Sequence, residues 1–230
     1  MSSSLVKRYK YPRTPHLPWS PGGSIDDLRC CDASQFEGKQ VIVTEKMDGE
    51  NTSLYCDYIH ARSIDSRHHP SRDWIKALHA AIARDIPVGW RICGENLYAR
   101  HAIAYDQLLS YFMVFSIWDE HNCCLSWAES EEWFELLNLT PPTVLFQGKW
   151  NKKRIQQINI DTASMEGYVV RLSERFHYSE FAQSVAKWVR KSHVQTDEHW
   201  MHTAVIANKL LCRGVGKGSI NKSGELSSDT

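Results

Sequence analysis

The stretch that most constrains the fold is the apolar run Val41-Ile42-Val43, which leads directly into the charged turn Lys46-Met47-Asp48-Gly49. A short run of β-branched residues predicts a strand, which we place within residues 36–45. An Asp-Gly pair is typical of a tight hairpin turn, so residues 51–57 are predicted to form the partner strand. This arrangement places the amine of Lys46 at the end of a rigid element, at the mouth of a pocket.

The rest of the chain is predicted to contain helices and strands in an irregular order. Ser71 is predicted to cap a helix over residues 71–85, and a Ser126/Glu129 capping box predicts a second helix to about residue 137. Because strands and helices do not alternate regularly, the sequence favours an α+β fold over a doubly wound sheet. The remaining strands are predicted at residues 88–93, 111–118, 167–172 and 184–189.

Four segments are predicted along the chain. Four of the eight prolines lie within the first 21 residues, which predicts an extended N-terminal segment over residues 1–35. Residues 36–192 are predicted to form the folded domain. A C-terminal helix is predicted over residues 193–212, and the Gly-, Ser- and Lys-rich residues 213–230 are predicted to be disordered.

The composition argues against several classes of protein. The 230 residues include 27 basic and 27 acidic side chains, so the overall charge does not favour a polyanionic partner, although local patches could still bind one. The seven cysteines contain no Cys-x-x-Cys pair, so neither a zinc site nor a disulfide framework is supported. With no leader-like start and no apolar run long enough for a membrane span, the sequence predicts a cytoplasmic protein without a membrane partner.

Six short segments carry side chains that suit nucleotide chemistry. A desolvated lysine amine can act as a nucleophile, and arginine suits phosphate. An aromatic side chain on a strand can stack on a base, and a carboxylate can bind a divalent metal. Each segment taken singly also fits a solvated surface or an ordinary core position. The candidates, in chain order, are Lys46, Arg62, Glu95, Phe115, Glu166 and Lys187.

The order of these segments resembles the motif series of the covalent nucleotidyltransferases, which include ATP-dependent ligases and mRNA capping enzymes. The family pattern Glu-Lys-x-(Asp/His)-Gly-x-Asn is matched by residues 45–51. Because Asn51 completes this pattern, the resemblance is strongest to ATP-dependent RNA ligases of the T4 RNA ligase 2 type. The later motifs match at Arg62, Gly94-Glu95, Phe115 and Glu166-Gly167.

The resemblance implies a fold and a role for each matching residue. The implied fold is the nucleotidyltransferase fold, in which antiparallel sheets flanked by helices hold ATP in the cleft between them. Lys46 would be the adenylylated nucleophile, and Glu166 would serve a divalent metal, magnesium or alternatively manganese. Phe115 would stack on adenine. The implied ATP-binding residues are Glu45, Met47, Asp48, Asn51, Arg62, Glu95, Phe115, Glu166, Lys187 and Arg190.

The last motif departs from the family pattern, which usually presents two lysines separated by one residue. Here the second position is Val189, and Arg190 follows it. Either Arg190 substitutes in a shifted register, or one phosphate contact is missing. Arg171 also stands at a position that is often lysine, which is a milder change.

The implied activity is the joining of a 5′-phosphate to a 3′-hydroxyl of RNA through lysyl-AMP and RNA-adenylate intermediates. A kinase or phosphatase that heals the ends first is a candidate partner. Two alternatives remain within the superfamily, a DNA ligase and a GTP-using capping-type enzyme, although no oligonucleotide-binding barrel is obvious after residue 191. A third alternative is an RNA-end-binding protein that has lost catalysis, which Val189 keeps open.

Overall fold

The computed structural model describes residues 7–24, 26–191 and 205–211, which are organised around two antiparallel sheets. The strands are β1 (Gln40–Lys46), β2 (Glu50–Leu54), β3 (Ile59–Ala61), β4 (Arg91–Asn96), β5 (Phe112–Trp118), β6 (Cys123–Cys124), β7 (Val144–Lys149), β8 (Gly167–Leu172), β9 (Phe176–His177) and β10 (Val185–Val189). The first sheet has the order β10-β8-β1-β7, and the second has the order β3-β2-β4-β5-β6-β9. The predicted α+β class is therefore confirmed.

Four helices flank the sheets in the part of the chain that the structure describes, and none of them has the length and hydrophobicity needed to cross a bilayer. The predicted capping box at Ser126 and Glu129 is confirmed, because each side chain bonds the backbone N–H of the other. The prediction that Ser71 caps the first helix is wrong, because a 3₁₀ turn starting at Pro70 intervenes and the side chain of His69 caps that turn. The helices are α1 (Asp73–Ile82), α2 (Trp127–Leu136), α3 (Lys152–Gln156) and α4 (Phe181–Ser184).

The predicted hairpin across Asp48-Gly49 is wrong. β1 pairs with β7 and β8, whereas β2 pairs with β3 and β4, so the turn carries the chain from one sheet to the other. A glycine is required in this turn, because a Cβ on Gly49 would lie 2.5 Å from the carbonyl oxygen of Asn96. The period-2 pattern shows which face a strand buries, but it does not show which strand it pairs with.

Both faces of β1 are buried, which explains its nearly continuous apolar sequence. Val41 and Val43 belong to one core cluster, which also contains residues of β8 and β10, whereas Ile42 belongs to a second cluster shared with α1 and α2. Full burial of each such side chain contributes about 1.5–3 kcal/mol to folding, as an upper estimate. The strand that ends at Lys46 is therefore held firmly on both sides.

The N-terminal residues run across the edge of the first sheet. The backbone N–H of Leu17 donates to the carbonyl of Lys187 at 2.7 Å, and the N–H of Lys187 donates to the carbonyl of Pro15 at 2.9 Å. Residues 15–17 thereby extend the sheet beyond β10. The first regular element that the structure describes is the short 3₁₀ turn Ser34–Phe36.

The predicted C-terminal helix is wrong where the structure describes it. Residues 205–211 are extended and pack on the loop formed by residues 97–111, while residues 192–204 and 212–230 lie outside the described part of the chain. Asn208 is only 3% exposed, and its amide nitrogen donates to the carbonyl of Leu97 at 2.8 Å while its amide oxygen accepts from the N–H of Tyr105 at 2.9 Å. Bonding to a distant loop, rather than within a helical turn, fixes this conformation.

We expect Asn208→Ala to destabilise the protein by roughly 2–4 kcal/mol, because it leaves two buried backbone groups of the loop without their partners. Denaturant unfolding measures this loss as a shift in midpoint. Ile206→Ala in the same segment is the control, since Ile206 is 63% exposed and its truncation should cost little. Equal stability of the two variants would show that Asn208 does not anchor the segment.

Candidate active site

A cavity of about 1450 Å³ is lined by residues from both sheets. The lining includes the end of β1 and the turn that follows β1, so Lys46, at the end of that strand, lies in the cavity wall. The predicted site residues that line this cavity are Glu45, Lys46, Met47, Asp48, Asn51, Arg62, Glu95, Phe115, Glu166 and Lys187.

Lys46 and Glu166 form an ion pair in this cavity. The Nζ atom of Lys46 lies 2.6 Å from Oε2 of Glu166, and the two side chains are 18% and 1% exposed. The contact follows from the register of the first sheet, in which Lys46 pairs with Gly167, the residue after Glu166. Burial alone would lower the pKa of the Lys46 amine, but Glu166, Glu95 and Asp48 raise it, and the resulting pKa lies above its ordinary value. The resting amine is therefore protonated.

Glu95 lies beside this pair on β4. One oxygen of its carboxyl group accepts from the N–H of Gly49 at 3.3 Å, which links β4 to the turn after Lys46. Burial, reinforced by the charges of Glu166 and Asp48, raises the pKa of Glu95 to about 8, although Lys46 acts in the opposite direction. At neutral pH the carboxyl group is therefore largely protonated and can donate a hydrogen bond as well as accept one.

Asp48 fixes the turn against the loop of residues 97–111. Its Oδ2 atom accepts from the N–H of Ile103 at 2.8 Å, and its own N–H donates to the hydroxyl of Tyr105 at 3.0 Å. The loop in turn bonds to Asn208, as described above. The position of the turn after Lys46 therefore depends on contacts with two segments far from it in sequence.

The other residues predicted to line the ATP site surround the same cavity. Asn51 pairs with Glu95 in the second sheet, and its amide oxygen is buried with no hydrogen-bond partner in the described part of the chain. A ligand that carries N–H or O–H donors would satisfy this atom. Phe115 lines the cavity with its ring 5.1 Å from the ring of Tyr11, in an edge-on arrangement. Glu45 and Met47 flank Lys46, and burial raises the pKa of Glu45.

Lys187 is a further buried cation at the cavity, at 9% exposure. Burial, followed by repulsion from the Lys46 amine, lowers the pKa of Lys187. Arg62 lies at the exposed rim. A bound anion such as a phosphate would relieve the repulsion between these cations.

The prediction that Arg190 substitutes for the missing lysine is not supported by its position. Its guanidinium bonds to the carbonyl of Thr162, and Arg190 is not among the described residues that line the cavity. Alternation along β10 places Val189, not Arg190, on the same face as Lys187. Val189 is covered by the N-terminal segment, whose Gly22 donates to its carbonyl at 2.9 Å.

Several lining residues were not identified from the sequence. They belong to the N-terminal segment, to the connection between β3 and α1, and to the loop of residues 97–111. The mixture of basic and aromatic residues in the stretch Lys10-Tyr11-Pro12-Arg13 is a local signal that could have been noticed, but the contact between Tyr105 and Asp48 has no local signal. The missed lining residues are Lys10, Tyr11, Arg13, Arg67, Arg72, Arg100 and His101, and the missed contact is that of Tyr105 with the turn at Asp48.

The donor set of the cavity suits a metal that is shared with a bound phosphate. Among the described residues, no group of three or more His, Cys, Asp or Glu side chains is placed to hold a metal ion. Magnesium commonly keeps several waters and uses one or two carboxylates together with substrate phosphates. Glu166, on the cavity wall beside Lys46 and Lys187, fits that pattern of coordination.

Comparison with known proteins agrees with this geometry. The model of the family described as "RNA ligase" matches residues 39–189 of the chain. No curated protein sequence matches the chain. Among solved structures, an archaeal ATP-dependent RNA ligase is similar over 78% of this chain and 48% of its own, at 15% identity and a TM-score of 0.54. A Naegleria gruberi RNA ligase with pyrophosphate is similar over 68% of this chain and 51% of its own, at 17% identity and a TM-score of 0.48.

The chain thus spans about half the length of these two solved ligases. The similarity to the archaeal structure confirms the nucleotidyltransferase fold that the sequence predicted. The family match covers the elements that carry Lys46, Glu95, Glu166 and Lys187. From this match, the chain belongs to the RNA ligase family.

Proposed function

We propose that the protein is an ATP-dependent RNA ligase of the T4 RNA ligase 2 type, which joins a 5′-phosphate to a 3′-hydroxyl. The observation that carries the proposal is the Lys46 amine, which lies 2.6 Å from the buried Glu166 in a cavity that also contains Glu95 and Lys187. A nucleophilic amine beside carboxylates and a second cation suits attack on a nucleotide phosphate.

The reaction proceeds in three transfers. After losing a proton, Lys46 Nζ attacks the α-phosphorus of ATP, so that an N–P bond forms and pyrophosphate leaves. An oxygen of the RNA 5′-phosphate then attacks that phosphorus, which breaks the N–P bond and returns the amine. Finally the 3′-hydroxyl loses its proton and attacks the RNA 5′-phosphorus, so that the strands are joined and AMP leaves.

The residues around Lys46 have two kinds of role, since some offset charge and others position the nucleotide. Lys187 offsets the negative charge of the α-phosphate, and Asn51 and Glu95 orient the sugar through hydrogen bonds. Phe115 presents its ring to the base. A divalent metal held by Glu166 would neutralise phosphate charge and favour the unprotonated amine.

The test is incubation with ATP labelled at the α-phosphate and a divalent metal, followed by denaturing electrophoresis. We expect the label to remain on the protein with ATP and not with GTP, and to move to a 5′-phosphorylated RNA that is added later. Label from GTP would favour a capping-type enzyme, and transfer to DNA ends in preference to RNA ends would favour a DNA ligase. Tight RNA-end binding without any label would favour a protein that has lost catalysis.

One observation favours the alternative of an RNA-end-binding protein that has lost catalysis. The position of the second lysine of the last motif is occupied by Val189, which is buried beneath the N-terminal segment. If a cation at this position were indispensable, the chain would bind ends without activating them. An active ligase and an inactive end-binding protein would both need a kinase or phosphatase as a partner to prepare the ends, because neither activity includes end healing.

The labelling rate should increase with pH. Because the carboxylates around Lys46 raise its pKa, the amine is protonated at neutral pH and its reactive fraction grows about tenfold per pH unit below that pKa. Single-turnover labelling at several pH values between about 6 and 9 measures this dependence. A rate that does not change over this interval would mean that removal of the proton from Lys46 does not limit the reaction.

A further inference from the structure

The rim of the cavity differs in charge from its floor. At the floor, two of the cations are paired, Lys46 with Glu166 and Arg72 with Glu50, the latter at 2.7 Å. At the rim, five exposed cations form no ion pair with any described acidic side chain. These rim cations are Lys10, Arg13, Arg62, Arg67 and Arg100.

This concentration of charge is local, because the whole chain has 27 basic and 27 acidic residues. The rim cations come from three segments that are distant in sequence, and the fold brings them to one opening. A cluster of unpaired cations beside a cavity attracts polyanions, and it does so most strongly at low salt.

Two of the rim cations belong to a segment that precedes the family match, which begins at residue 39. This segment is anchored on both sides of the cavity. At one end Arg8 contacts Asp57 at 2.7 Å, and the hydroxyl of Tyr178 donates to the carbonyl of Lys10 at 2.8 Å. At the other end the carbonyl of Pro15 accepts from the N–H of Lys187 at 2.9 Å. Residues 10–14, between the anchors, line the cavity.

Anchoring at both ends holds the backbone of Lys10 and Arg13 in place before any ligand binds. Only their side chains must become ordered on binding, which lowers the entropic cost. The two residues are at most about 11 Å apart along an extended chain. Two such cations on one anchored segment can each contact a separate phosphate of the same strand.

We propose that Lys10 and Arg13 bind the phosphodiester backbone of the RNA strand whose end lies in the cavity. This inference rests on the proposed function for the identity of the polyanion. The buried cations Lys46 and Lys187 would contact a bound mononucleotide, whereas the rim cations face the part of a longer chain that leaves the cavity. The N-terminal segment therefore supplies an RNA contact that lies outside the part of the chain shared with the family.

The test compares the double variant Lys10→Gln/Arg13→Gln with the wild-type protein. Binding of a short, 5′-phosphorylated, single-stranded RNA is measured by fluorescence anisotropy at several salt concentrations. Each phosphate contact to single-stranded nucleic acid contributes about 0.7 to the slope of log affinity against log salt, so we expect the double variant to lose about 1.4 from that slope. Thermal unfolding of both proteins shows that the fold is retained.

The control is Lys149→Gln/Lys153→Gln, which removes two exposed lysines on β7 and α3 that do not line the cavity. We expect its salt slope to equal that of the wild-type protein. A Lys10/Arg13 variant with the wild-type slope would overturn the inference, as would a wild-type protein that does not bind the RNA.

Covalent labelling of the wild-type protein with ATP is measured in parallel, so that the two proposals can fail separately. An absent label with a reduced slope in the Lys10/Arg13 variant would refute the enzymatic function and support the RNA contact. A strong label with an unchanged slope would support the function and refute the contact.

Discussion

Lys46→Ala is expected to abolish the covalent label, because no other amine occupies the position 2.6 Å from Glu166 Oε2 among the described residues. The substitution also removes the cation beside a carboxylate that is 1% exposed. Breaking a buried pair in this way costs up to about 3–5 kcal/mol, so loss of label in this variant alone could reflect unfolding.

Lys46→Arg tests the chemical role of Lys46 without the loss of positive charge that destabilises Lys46→Ala. An arginine keeps a positive charge near Glu166, but its pKa above about 12 prevents it from acting as a nucleophile. We expect the variant to unfold near the wild-type midpoint in denaturant and to carry no label. Retention of a covalent nucleotide by either variant at position 46 would identify a different nucleophile and refute the proposed mechanism.

Gly167→Ala is expected to have the largest effect on stability. A Cβ at this position would overlap the carbonyl oxygen of Trp188 on the neighbouring strand, and the backbone φ of +157° also disfavours an L side chain. Overpacking and backbone strain together predict a loss of about 3 kcal/mol or more. Relief of the overlap requires β10 to move away from β8, and β10 carries Lys187 into the cavity.

Gly148→Ala is the matched control for this prediction. Gly148 lies in the same sheet with a similar φ of +147°, but a Cβ there would meet only Phe146 Cζ at 3.6 Å. We expect it to lose about 1–2 kcal/mol from backbone strain alone. Chemical denaturation of the two variants isolates the cost of the overlap, and equal losses would show that β10 accommodates the extra carbon without strain.

The local elements were predictable because their determinants are local. The Ser126/Glu129 capping box lies within one helical turn, and the β-branched run over residues 41–43 specifies a strand without reference to its neighbours. The strand over residues 167–172 was predicted with the bounds that the structure shows. The order of the motifs identified the family, since it needs no knowledge of which strands pair.

Partnerships between distant segments could not be predicted in this way. The chain crosses to another sheet at Gly49, and residues 205–211 are extended against a loop about a hundred residues earlier. Periodicity and capping describe the backbone of one segment, whereas strand pairing depends on the burial and hydrogen bonding of two. Arg190 illustrates the limit, because its contact with the carbonyl of Thr162, 28 residues earlier, has no local signal.

The sequence by itself determined the type of most elements and the family, and ten of the eleven site residues that it singled out line the cavity. The tertiary structure alone decided that Lys46 contacts Glu166 across 120 residues of sequence, that the pKa of Glu95 rises to about 8, and that the N-terminal segment forms one wall. These properties arise from distance and burial in the folded chain, which set the strength of a charge interaction and the cost of desolvation. No local sequence pattern contains either quantity.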